Sequence, residues 1–168
     1  WTSIWLVLAE AARALAIQSE SAMAIVVDCA GTHSQLRRAA QRCLKDLVGV
    51  IAQVSREEGS RQGQLSEQQL GKIRAFFGNT AAAGGLLNAW KGRRHFTLRL
   101  TAIESLVLAA VPAGTELEYE RFLTQWLFER CRIVAGREGA ARAGMLMAFD
   151  GTIFEENERR LAEQMRAS

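Results

Sequence analysis

Apolar residues recur at helical spacing along most of this chain. The clearest stripe lies in segment 36–54, where apolar residues fall three or four positions apart: Leu36, Ala40, Cys43, Leu44, Leu47, Ile51 and Val54. Such positions share one face of an α-helix, and that face can pack against a core. The same spacing recurs in 1–17 and in three later segments: 70–77, 106–111 and 117–134. The pattern predicts an all-α fold.

The chain has the length of one domain. Its 168 residues contain a single proline, Pro112, and this scarcity favours long helices over many short strands. We therefore predict a single-domain helical bundle of about six to eight helices that spans 1–168, since domains usually have about 100–200 residues. Segment 158–168 is mostly polar, so we expect it to fray or to project from the bundle.

Capping boxes, in which Ser or Thr precedes Glu or Gln by three residues, predict where four helices begin. The pairs are Ser66–Gln69, Thr101–Glu104, Thr115–Glu118 and Thr152–Glu155. We expect the helix after Ser66 to end near Gly78, a further helix at 81–90, and helical structure from the first segment towards Cys29. Segment 95–100 alternates as a strand does, but no partner strand is evident, so we interpret it as the lead-in to the next helix.

Charge changes this picture, because the cations are unevenly distributed. Segment 68–103 has six Lys or Arg residues and no Asp or Glu, whereas segment 104–168 has eight basic and eleven acidic residues. A stretch without carboxylates creates a local positive field. Its densest part is 91–96, between Trp90 and Phe96. Arginine outnumbers lysine eighteen to three, which favours bidentate contacts to phosphate or carboxylate groups.

These cations form the predicted nucleic-acid-binding surface. A second basic group recurs at i, i+4 and i+7 on the 36–54 helix, away from the apolar stripe. Together the predicted residues are Lys91, Arg93, Arg94, Arg99, Arg38, Arg42 and Lys45. Alternatively, the basic turn is simply solvated, or it pairs with the glutamates of 116–120. If the two basic groups are adjacent in the fold, they form one continuous groove.

The sequence does not support an enzyme. The only histidines, His33 and His95, are not spaced as a metal-ligand pair, and neither has a nucleophile and a third group beside it. We therefore expect no catalytic residue, metal or cofactor. The three cysteines, Cys29, Cys43 and Cys131, are odd in number and far apart, which favours a reducing compartment. We predict a cytoplasmic location.

The first segment is apolar but is interrupted by Glu10 and Arg13, so it does not fit a membrane span. We predict a buried helix whose Trp1 and Trp5 dock on a protein partner, because tryptophans near a chain end are often exposed unless something covers them.

Three functions remain open. The first is a non-catalytic helical subunit or adaptor of a larger assembly, which contacts nucleic acid through the basic surface in 68–103. The second is a protein-interaction or scaffold module that docks through its N-terminal helix. The third is a helical ligand-binding sensory domain, with an apolar pocket lined by Phe76, Phe77 and Trp126.

Overall fold

Seven α-helices and two short strands form the fold in the computed structural model, which describes residues 1–17, 24–60, 65–89 and 92–167. The α-helices are α1 (Thr2–Ile17), α2 (Ser34–Ser60), α3 (Glu67–Ala83), α4 (Leu100–Ala110), α5 (Tyr119–Arg121), α6 (Arg137–Arg142) and α7 (Gly151–Ala167). A π-helix (Phe122–Arg130) continues α5, and a 3₁₀ turn (Met145–Met147) follows α6. The predicted mostly α-helical architecture is confirmed.

The apolar stripe of α2 is confirmed and faces the core. Leu36, Leu47 and Ile51 are fully buried, and α2 packs against both α1 and α3. The opposite face of α2 remains exposed, and it carries Arg38 and Arg42. The amphipathic pattern therefore fixes which side chains of α2 meet solvent.

A small parallel sheet replaces the helical structure expected before Cys29. Strand β1 (Ile25–Val26) pairs with strand β2 (Ile133–Val134), Ile25 opposite Ile133. This expectation was wrong because each strand has only two residues, too few to show a periodicity of its own. Residues 18–23, where a break in the first helix was expected, lie outside the described residues.

The alternating segment near residue 96 does have pairing partners. Phe96 forms an antiparallel bridge with Leu87, and its carbonyl accepts the backbone N–H of Asp28 at 2.9 Å. Phe96 is fully buried. Its interpretation as a lead-in without partners was therefore wrong, because Phe96 pairs with two segments that show no strand pattern of their own, one near Leu87 and one at Asp28.

Asn157 on α7 ties the two strands to the loop after β1. Its Oδ1 accepts the backbone N–H groups of Cys29 (2.7 Å) and Ala30 (3.0 Å). Its Nδ2 donates to the carbonyls of Val27 (3.0 Å) and Ala135 (2.7 Å). The side chain is fully buried, so these four bonds replace the water that the backbone groups lose.

Only one of the four predicted capping boxes forms. Ser66 and Gln69 satisfy each other's backbone N–H groups at the start of α3, as predicted. Helix α4 instead begins at Leu100 after Arg99, and α5 begins at Tyr119, in both cases without a side-chain cap. At the start of α7, Asp150 replaces the predicted box, because its Oδ1 accepts from both the N–H and the hydroxyl of Thr152.

The predicted ends of two helices are also corrected. Helix α3 continues past Gly78, which is buried within it, to Ala83, and a turn follows where the helix 81–90 was expected. The last helix runs to Ala167. Within 158–168, Leu161 is fully buried and the Glu158 carbonyl accepts the Tyr119 hydroxyl at 2.7 Å.

Candidate anion-binding cleft

An open cleft of about 680 Å³ lies between the first turns of α2 and the loop that precedes Phe96. Its lining comes from both walls: Gly31, Ser34, Arg37, Arg38 and Gln41 on one side, and Asn88, Arg93 and His95 on the other. The four α2 residues are spaced by three and four, so they share one face of the helix. The cleft therefore joins the basic face of α2 to the carboxylate-free segment.

The loop wall is held in place by Asn88. Its Oδ1 accepts the backbone N–H of His95 at 2.9 Å, and its Nδ2 donates to the Arg93 carbonyl at 3.3 Å. Gly92 turns the chain with a φ of +89°, a conformation that glycine adopts without strain. Asn88 thus closes the loop and places Arg93 opposite α2.

Asp28 holds in place the side of the cleft that is formed by the start of α2 and the loop before it. Its side chain is fully buried, and its Oδ1 accepts the Gly31 N–H at 2.8 Å. Its Oδ2 lies 3.4 Å from the Arg37 Nε. Because Asp28 balances the charge of Arg37, the excess positive charge of the cleft belongs to Arg38 and Arg93.

His95 lies against Asp28 and is 8% exposed. Burial is the main reason why the pKa of His95 is lowered; Asp28 opposes this shift and Arg37 adds to it. The ring is therefore neutral at pH 7, and its 3.8 Å approach to Asp28 is not an ion pair. The buried Nδ1 has no hydrogen-bond partner of normal geometry, although an interaction with the Arg93 backbone also opposes the lowering of the His95 pKa.

The predicted basic residues fall into several groups. Arg38 and Arg93 line the cleft together. Arg42 and Lys45 are exposed further along α2, on the turns that follow Arg38. Arg99 lines a neighbouring cavity, to which Asn88 also contributes.

Arg94 points to α3 rather than to the cleft. Its guanidinium lies where a side chain at Gly78 would begin, 2.8 Å from that Cβ position. Lys91 lies outside the described residues. Arg37 and His95 are members of the cleft that the sequence did not single out as nucleic-acid ligands. No sequence signal identifies them, since both depend on contact with Asp28.

The ion pairs of the structure bear on the alternative that the basic turn pairs with the glutamates of 116–120. In the part of the chain that the structure describes, Arg93, Arg94 and Arg99 form no ion pair, and neither do Arg38, Arg42 and Lys45. Glu118 instead pairs with Arg121 at 3.3 Å. These predicted ligands are thus not neutralised by a described carboxylate.

The apolar surface of the first helices is separate from this cleft. Trp1, just before α1, is 51% exposed, and Trp5 on α1 is 55% exposed. Phe76 and Phe77 line an apolar groove of about 300 Å³ between α1, α2 and α3. Trp126 does not line that groove but lies on the π-helix, under the Arg130 guanidinium. The expected pocket of Phe76, Phe77 and Trp126 therefore does not form, because the groove at Phe76 and Phe77 is completed by residues of α1 and α2 instead.

Comparisons with protein-family models, curated proteins and solved structures find no significant match to this chain. No helix among the described residues is long and apolar enough to cross a bilayer. Within the same residues, no three His, Cys, Asp or Glu side chains come together as metal ligands. The cleft must therefore be interpreted from its own chemistry.

The lowered pKa of His95 has a measurable consequence. Because the unfolded chain binds this proton more readily, the folded state loses stability as pH falls below the ordinary histidine value of about 6.5. We expect urea unfolding between pH 7.5 and pH 5 to show this loss, and His95→Gln to reduce the pH dependence. Gln53→Ala, at an exposed residue that does not titrate, is the control and should leave the pH profile unchanged. An unchanged pH profile in His95→Gln would contradict the assignment.

Proposed function

We propose that this protein is a non-catalytic nucleic-acid-binding subunit or adaptor, which contacts the phosphate backbone through the cleft and the adjoining face of α2. The observation that carries the proposal is the convergence of Arg38 and Arg93, 55 positions apart in the chain, on one cleft. Neither has a carboxylate partner among the described residues. Unpaired arginines on two facing walls suit phosphate, because each guanidinium can bind two of its oxygens.

The length of the basic surface supports a polymer rather than a small anion. Beyond the cleft, α2 continues the positive charge through Arg42 and Lys45, and Arg99 extends it on the other side of Asn88. Successive phosphates of a strand lie several ångströms apart, so cations spread along one helix face can contact several of them. Binding then gains free energy mainly from the release of condensed counterions, and no base-specific contact is required.

Protein docking remains the second candidate function, because Trp1 and Trp5 are both more than half exposed at the start of the chain, beside the exposed Leu6. Large exposed apolar side chains are typical of interaction surfaces. This surface is separate from the cleft, so an adaptor could use both.

The proposal is tested by fluorescence anisotropy with labelled single- and double-stranded oligonucleotides over a range of salt concentrations. We expect binding at low salt that weakens steeply as salt rises. The variant Arg38→Glu with Arg93→Glu should weaken binding at least tenfold and lower the slope of log K against log salt by about two, since each phosphate contact contributes about 0.9.

The matched control reverses the same amount of charge away from the cleft, with Arg13→Glu and Arg121→Glu, both on exposed residues. This control should bind nearly as well as the unchanged protein. Absence of binding at low salt, or equal losses in the two double variants, would refute the proposal.

A further inference from the structure

We propose that the cleft at the start of α2 binds a terminal phosphate, that is, a phosphate monoester at the end of a nucleic-acid strand. This inference rests on the proposed function and specifies which part of the strand the cleft recognises. It follows from three features of the cleft: its net charge, its closed floor and the position of a helix start.

The charge of the cleft suits a dianion. Three arginines, Arg37, Arg38 and Arg93, are opposed by one carboxylate, Asp28, so the site carries two positive charges in excess. A phosphate monoester carries nearly two negative charges at neutral pH, because its second pKa is about 6, whereas a phosphodiester carries one. A single terminal phosphate can therefore balance the site, whereas a single internal phosphodiester leaves one positive charge in excess.

The floor of the cleft is closed. It is formed by His95, which is 8% exposed, and behind His95 lies the fully buried side chain of Asp28. A terminal phosphate can approach His95 end-on, whereas an internal phosphodiester carries the strand on both of its sides.

The start of α2 adds donors of its own. The backbone N–H of Arg37 is the first that bonds back along the chain, to the His33 carbonyl at 3.1 Å. The N–H groups before it belong to the first turn, where an α-helix has no acceptors for them. Ser34, the first residue of α2, lines the cleft, and the positive end of a helix dipole favours an anion there.

The cleft has more hydrogen-bond donors than the free oxygens of a phosphodiester can accept. A diester offers two free oxygens, and a monoester offers three. Arg38 and Arg93 each have five N–H donors, and the helix start adds more. A terminal phosphate therefore satisfies more of the cleft than an internal one, and we expect it to bind more tightly.

The experiment compares one short single strand in three forms: with a 5′-phosphate, with a 3′-phosphate, and with hydroxyl groups at both ends. We expect at least one phosphorylated form to bind tenfold or more tightly than the hydroxyl-ended strand at pH 7.5. Arg93→Gln should abolish this ratio, because it removes one wall of the cleft. Arg42→Gln, outside the cleft on the same helix, should weaken all three forms while preserving the ratio.

Two competitors distinguish the sources of the phosphate group. If the cleft binds a strand end, inorganic phosphate and a nucleoside monophosphate should displace the phosphorylated strand only poorly, since neither reaches Arg42 and Lys45. Equal binding of all three strands would overturn the inference but leave the proposed function intact. Absence of binding by every strand would overturn the proposed function itself. Competition by inorganic phosphate as strong as that of a phosphorylated strand would show a small-anion site instead.

Discussion

Replacing Asn157 with alanine is expected to lower the free energy of unfolding by about 4 kcal/mol or more. The substitution leaves four backbone groups without this partner: the buried N–H of Cys29, the buried carbonyls of Val27 and Ala135, and the partly buried N–H of Ala30. Each unsatisfied buried group costs about 1–3 kcal/mol. Since a typical domain is stable by only about 5–15 kcal/mol, the variant should be close to unfolding.

Urea unfolding followed by circular dichroism measures this loss. Arg159→Ala is the matched control, because Arg159 lies on the same helix and is exposed; it should change stability by less than about 0.5 kcal/mol. The four hydrogen bonds of the Asn157 side chain form a clamp on the backbone that follows both strands. Asn157→Asp separates the two halves of this clamp, since it keeps the acceptors for the N–H groups and loses the donors to the carbonyls. A loss below about 1 kcal/mol in Asn157→Ala would show that the clamp does not hold the strands.

The clamp also connects stability to the candidate site. Asn157 holds the backbone on both sides of Asp28, and Asp28 in turn contacts Arg37 and the Gly31 N–H. The helix wall of the cleft therefore depends on a residue of α7 that does not line it. Milder variants at Asn157 that remain folded are expected to weaken phosphate binding, whereas variants at Arg38 are expected to weaken binding without loss of stability.

Signals that are local in sequence predicted part of this fold correctly. The apolar stripe of α2 needs only the spacing of its own residues, and the box of Ser66 and Gln69 needs only four consecutive positions. The carboxylate-free stretch is likewise a property of the sequence alone. Such features do not depend on which distant segment packs against them, so the sequence suffices.

The parallel strands and the cleft depend on long-range contacts, and the sequence could not show them. Asn157 lies 128 positions from Cys29 and stands in a helix that appears mostly polar. Nothing near it in sequence identifies it as buried. In the same way, the sequence proposed that the two basic groups could be adjacent, but only the fold brings Arg38 and Arg93 to one cleft.

The start of α4 shows how a tertiary contact overrides a local signal. Thr101 and Glu104 have capping-box spacing, yet the helix begins one residue before Thr101. The Arg99 N–H donates to the Gly85 carbonyl at 2.9 Å, so the pairing of the 85–88 and 95–99 segments sets where the helix starts. The Thr101 hydroxyl then lies against Gly85 instead of capping.

That contact makes Gly85 the second position where a small change should have a large effect. Gly85 has a φ of +78°, which costs an alanine about 1–2 kcal/mol. A Cβ there would also lie 2.5 Å from the Thr101 Oγ1 and 3.1 Å from the Ala102 backbone nitrogen. Overpacking adds about 1–3 kcal/mol, so we expect Gly85→Ala to cost about 3 kcal/mol in all.

Gly114 provides the matched control for this prediction. Its φ of +77° is almost the same, but a Cβ there would meet no atom within 4 Å. Gly114→Ala should therefore cost only the backbone strain, about 1 kcal/mol once the reduced freedom of the unfolded chain is included. Thermal and urea unfolding of the two variants measure the difference. Equal losses would show that Gly85 is required for its backbone conformation alone, and that its contact with Thr101 does not determine where α4 begins.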